Sequence, residues 1–185
     1  MPANPVRAVF LTGFMGAGKT SVGRALALQL GWRFVDLDQM VEKRERQNIA
    51  GIFRQSGEAA FRAAEQGAFD SLLEALQEMG PTVVALGGGT LADSPRALQL
   101  RRSEGRLVFL SAPLETLRQR CMQAAGERPL LQNESGFGAL LEARLPGYRG
   151  ADLEVASAAK TPEEVAAEIA VALNLIPQIS PQEAE

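Results

Sequence analysis

The sequence contains no histidine and only one cysteine, Cys121. The first absence removes the commonest general base and the commonest metal ligand from any mechanism. The second excludes an internal disulfide and a cysteine zinc site. Cys121 sits in a helical pattern and reads as packing. Lysine is also scarce. Lys19, Lys43 and Lys160 are the only three, and arginine carries most of the basic charge. A single well-placed arginine is therefore weak support for any site. No stretch approaches the ~20 apolar residues of a membrane span. The opening MPANPVR lacks the apolar segment of a signal peptide. A soluble cytoplasmic protein is expected. The net charge of −3 offers no basic surface to nucleic acid or a membrane, and a monomer is expected. There is no internal repeat and no linker. The 185 residues, 46% of them hydrophobic, suit one domain over 1–176 with a disordered tail at 177–185.

The chain is organised around residues 8–30. An apolar run from Val9 to Leu11 reads as a buried strand and stops at Gly13. Gly13 to Thr20 then fits the spacing G-x-x-x-x-G-K-[ST], and an amphipathic run follows to Leu30, closed by Gly31. Strand, glycine loop and helix form the context of a phosphate-binding P-loop. Its backbone N–H groups point inward and the helix N-terminus adds positive potential. ATP contacts are expected from Gly16, Ala17, Gly18, Lys19, Thr20 and Ser21. Lys19 would reach the β- and γ-phosphates and Thr20 would sit on Mg²⁺.

Short apolar strands are also expected at Arg33–Val35, Thr82–Leu86, Leu107–Leu110 and Leu153–Ala156, alternating with helical patterns. One helix is expected over 59–79, another opening at Ser94-Pro95, and another over about 137–145, ended by Pro146-Gly147. The alternation predicts an α/β protein, a five-stranded parallel sheet covered on both faces. Ligands in such sheets gather at the carboxyl ends of the strands. Three of those ends are chemically informative: the P-loop, Asp36 with Asp38, and Gly87-Gly88-Gly89.

Taken singly, the remaining polar residues have ordinary explanations. Asp36 and Asp38 alternate along an extended segment, which would aim both one way, but Asp38 also suits a helix N-cap. Arg62 follows Glu58 by four residues, the spacing of a surface ion pair. Arg128 suits a solvated charge in the polar loop 124–136, and Arg144 suits charge compensation at a helix C-terminus.

Taken together and in order, they carry a resemblance. The P-loop is followed by D-x-D at Asp36–Asp38, G-E-x-x-F-R at Gly57–Arg62, Gly87–Gly89, R-P-L-L at Arg128–Leu131 and R-x-P-x-Y at Arg144–Tyr148. This sequence resembles the shikimate kinases from about Ala8 to Leu173. The resemblance implies a three-layer α/β/α P-loop NTPase fold like that of the nucleoside monophosphate kinases, with a mobile lid at about 122–134. It implies transfer of the γ-phosphate of ATP to the 3-hydroxyl of shikimate, on the route to chorismate and the aromatic amino acids. Carried over by motif, Asp38 would hold the ring hydroxyls. Arg62 and Arg144 would hold the carboxylate, and Gly87, Gly88 and Gly89 would let backbone N–H groups approach the ring. Arg128 would ride on the lid and, with Lys19 and Asp38, complete the catalytic set. Thr20 and Asp36 would position Mg²⁺, and Arg120 would lie near adenine. The family often carries an acidic residue where this chain has Gly150. Other readings are another small-metabolite kinase of this fold, acting on gluconate or a nucleoside monophosphate, and an ATP-binding regulator without turnover. A neutral polyol would not require two carboxylate-binding arginines.

Overall fold

The computed structural model describes residues 6–91, 100, 104–123 and 134–175. Five strands form one parallel sheet: β1 (Ala8–Thr12), β2 (Arg33–Asp36), β3 (Thr82–Ala85), β4 (Gly105–Ser111) and β5 (Leu153–Ala156). Their order is β2-β3-β1-β4-β5, so the chain leaves the central strand first to one side and then to the other. The helices are α1 (Lys19–Leu30), α2 (Leu37–Glu45), α3 (Ile49–Leu76), α4 (Leu114–Gln123), α5 (Glu134–Tyr148) and α6 (Pro162–Ala172).

Alternation along β1 divides the core. Val9 and Leu11 face one side, where Val22, Leu26 and Leu30 of α1 meet Val165 and Ile169 of α6. Ala8 and Phe10 face the other, where Leu37 and Val41 of α2 meet Phe61, Phe69 and Leu72 of α3. Every residue of β1 is buried, as expected for a central strand with both faces covered. Val9 pairs with Val83, Leu11 pairs with Val108, and the Leu86 N–H donates to the Leu11 carbonyl at 3.0 Å. That last bond brings the chain after β3 out at the level of the P-loop.

The helix ends follow local chemistry. Gly31, in the left-handed region, closes α1. Thr161 and Glu164 form a capping box at the start of α6, with Pro162 in its first turn. Gly57 (φ 78°, ψ 178°) breaks α3 into two rods, where the Ser56–Glu58 sequence suggests a new start.

Two expectations change. The extended geometry ends at Asp36, so Asp38 lies in the first helical turn and strand alternation does not orient the pair. Asp36 is itself the N-cap: its Oδ1 accepts from the N–H groups of Asp38 at 3.1 Å and Gln39 at 3.3 Å. The helix expected to stop at Pro146 runs on to Tyr148. Pro146 falls in the last turn, and the segment beyond it is held from outside. The Tyr148 ring stacks on Phe109 at 5.1 Å and its hydroxyl donates to the Gly88 carbonyl. The helix expected at Ser94-Pro95, most of the lid and the tail lie outside the described residues.

Candidate functional site

One cavity of about 1010 Å³ opens at the carboxyl ends of β1, β2 and β3. Its floor is the P-loop. A Cβ at Gly16 (φ 81°) would stand 2.6 Å from the Leu117 carbonyl and 3.0 Å from Cys121 Sγ, so α4 presses the loop from beneath and only glycine fits. Lys19 Nζ donates to the carbonyls of Gly13 at 2.9 Å and Phe14 at 3.1 Å, folded back along the loop it serves. Ala17, Gly18, Thr20 and Ser21 continue the same lining.

Beside the loop, the Thr20 hydroxyl donates to Asp36 Oδ2 at 2.7 Å. One carboxylate therefore caps α2 and orients Thr20. Asp38 faces the cavity two residues later, in the first turn of α2. Burial, aided by Asp36, Glu65 and Glu42, outweighs the opposing charge of Lys19 and pushes its carboxyl up to about 6. Among the described residues, no cluster of three or more His, Cys, Asp or Glu could hold a metal by itself. Thr20 and Asp36 fit the sparse protein contribution of a Mg²⁺ site completed by phosphates and water.

The glycine turn after β3 forms the opposite wall. A Cβ at Gly87 would lie 2.6 Å from Glu65 Oε1 and 2.9 Å from Asp38 Oδ1. At Gly89 it would lie 2.7 Å from Arg62 Nη1, and at Gly88 3.4 Å from Arg144 Nη1. Each glycine thus leaves space for a charged group to approach the backbone.

The two arginines differ in their partners. Arg62 bonds Glu65 at 3.0 Å and Glu58 at 3.2 Å. Burial disfavours its charge, but these carboxylates outweigh that and hold its pKa above the ordinary value. The surface pair read from the sequence is therefore present, but the second partner, Glu65, is fully buried and reaches into the site. Arg144 is only 8% exposed. Its guanidinium lies 5.7 Å from the Phe14 ring centroid, a cation–π distance, and among the described residues no carboxylate forms a salt bridge with it. It is not the exposed compensating charge suggested by its place near a helix end.

At the other end of the cavity, Arg120 donates to the Ser157 carbonyl at 2.8 Å, to the Ser157 hydroxyl at 3.2 Å and to the Gly16 carbonyl at 3.4 Å. Lys160 and Pro162 line the same end. The cavity therefore gathers every expected site residue except Arg128, which lies outside the described residues. Sequence reasoning missed Glu65 and Tyr148. Glu65 has one local signal, its place three residues after Arg62. Tyr148 closes the R-x-P-x-Y stretch, but nothing local indicates its partner.

A family model for shikimate kinase matches residues 15–174. The shikimate kinase of Thermus thermophilus is 43% identical over 171 residues, 89% of each chain. That of Persephonella marina is 39% identical over 165 residues, 89% of this chain and 97% of its own. Among solved structures, the shikimate kinase from Acinetobacter baumannii in complex with shikimate superposes with a TM-score of 0.81 at 33% identity, covering 91% of this chain and 94% of its own.

Proposed function

The chain belongs to the shikimate kinase family, and on that premise we propose how its cavity transfers the γ-phosphoryl group of ATP to the 3-hydroxyl of shikimate. Phosphoryl transfer has a loose transition state, so positioning and charge neutralisation supply most of the catalysis. No histidine is needed. The amides of Gly16, Ala17 and Gly18 cradle the phosphates, with Lys19, Thr20 and Ser21 at the helix start. Lys19 exchanges its loop carbonyls for phosphate oxygens. Thr20 and Asp36 would hold Mg²⁺, which would supply positive charge to screen the phosphates. Arg120 flanks the adenine end of the cavity.

On the acceptor side, Arg62 and Arg144 bind the carboxylate and the Gly87–Gly89 backbone meets the ring. Asp38 holds the ring hydroxyls. A carboxyl with its pKa near 6 is mostly ionised at neutral pH, yet basic enough to take the hydroxyl proton as the phosphoryl group arrives. Arg128, in its R-P-L-L motif, would supply positive charge to the transferring phosphoryl group.

The observation that carries this reading is Arg144: a buried cation with no salt-bridged carboxylate among the described residues, facing a glycine turn beside a second arginine. A buried charge is costly unless paired, and a substrate carboxylate would complete the pair. The test is ADP release with Mg-ATP and shikimate, with quinate, gluconate, AMP and CMP as parallel acceptors. Turnover on shikimate is expected. Turnover on gluconate or a nucleotide but not shikimate would overturn the acceptor assignment.

A further inference from the structure

Tyr148 is the only tyrosine of the chain, and it is 1% exposed. Its ring has an ordinary packing role against Phe109. Its hydroxyl does something else. It donates to the carbonyl of Gly88, 60 residues away, across the gap between α5 and the glycine turn. The Arg144 guanidinium, one helical turn back, engages the same phenol oxygen by charge and hydrogen bond, and Arg62 acts on it through charge. The position a Cβ would take at Gly88 is 3.4 Å from Arg144 Nη1 and 3.7 Å from the Met15 N–H nitrogen of the P-loop. Gly88 therefore lies between the arginine and the loop, and Tyr148 holds it there.

We propose that the Tyr148 hydroxyl is a positioning group for the acceptor's carboxylate, joining the Arg144 guanidinium and the Gly88 backbone into one rigid receptor. The inference rests on the acceptor assignment above. The phenol oxygen gives the guanidinium a neutral partner while the site is empty, and a neutral partner leaves the cation free to pair with a substrate anion. Burial pushes the phenol up to about 12 against the pull of both arginines, so it stays a proton donor to Gly88 across the working pH range.

The test compares wild type with Tyr148→Phe, which keeps the ring and removes the hydroxyl. The KM for shikimate should rise about tenfold, or ~1.4 kcal/mol. The kcat and the KM for ATP should stay within about twofold. Shikimate methyl ester, which lacks the carboxylate charge, should be an equally poor acceptor for both proteins. An unchanged KM for shikimate would overturn the inference. So would an equal rise for acid and ester, which would mark a loss of packing. If Tyr148→Phe fails to fold, 3-fluorotyrosine incorporation labels this position alone. Its ¹⁹F resonance should move with shikimate and much less with the ester, and a resonance indifferent to shikimate would overturn the inference. Wild type failing to turn over shikimate would instead sink the acceptor assignment, and this inference with it.

Discussion

Thr90 and Glu65 share a fully buried hydrogen bond of 2.7 Å between residues 25 apart in the chain. The other oxygen of Glu65 accepts from Arg62 at 3.0 Å. The residue that follows the glycine turn therefore steadies the carboxylate that aims Arg62, one of the two arginines proposed above to bind the acceptor. Thr90→Val keeps the shape and removes the donor. A hydrogen bond to a buried charge contributes about 1.5–3 kcal/mol, so urea unfolding should show a loss of that order. The KM for shikimate should rise several-fold with little change in the KM for ATP. Unchanged stability and unchanged KM together would mean that Glu65 is held by its other contacts.

Asp38 predicts a pH dependence with opposite signs for activity and stability. Its carboxyl titrates near 6 in the fold and at 3.8 as the reference value. Between those values the native state binds more protons than the unfolded state, so stability rises as pH falls through this window. At pH 7 the ionised group costs about 1–3 kcal/mol. Asp38→Asn should therefore melt higher than wild type at pH 7, with the gap closing towards pH 4. Its kcat should be far lower. The wild-type kcat/KM for shikimate should fall below about pH 6 with the slope of one proton. An Asn variant no more stable than wild type at pH 7 would argue against a strained carboxylate.

Arg144 should show a similar exchange of stability for function. Replacing a buried cation that has no salt-bridge partner among the described residues by an apolar side chain of similar length removes a desolvation cost. Arg144→Met should be more stable than wild type by about 1 kcal/mol, while its KM for shikimate rises by a hundredfold or more. Saturating shikimate should raise the melting temperature of wild type and leave that of the variant unmoved. A variant less stable than wild type, with normal shikimate binding, would assign Arg144 to the core.

On the nucleotide side, Lys19→Met removes the loop's own cation but retains most of its stem. Turnover should fall by orders of magnitude while the circular dichroism spectrum stays native. Near-normal turnover would remove Lys19 from the chemistry.

Repeating local signals made the frame legible in the sequence. The strand runs, Gly31, Gly57 and the Thr161-Pro162 start each carry their meaning within a few residues, and each appears in the fold. Long-range polar pairing is not written that way. Glu65 looks like one more polar position on a helix, and its role appears only when Thr90 and Arg62 close on it. Asp36 and Asp38 were legible as a pair, but their orientation comes from a helix cap. Pro146 reads locally as a stop, and a buried aromatic two residues later overrides it.

The strand order makes β1 a frontier. Wall residues such as Ile49, Phe53 and Arg62 come from the helices associated with β2 and β3, whereas Arg120, Ser157 and Pro162 come from the segments following β4 and β5. On the proposed acceptor assignment, mutations that retune acceptor choice can thus accumulate on one flank of the sheet without touching the other. The exception is α5, which follows β4 in the chain and packs Tyr148 on Phe109, yet reaches the glycine turn after β3 with the Tyr148 hydroxyl and the Arg144 guanidinium. A lineage drifting towards a new acceptor would have to rewrite that helix as well, and its residues should then vary in concert with the glycine turn.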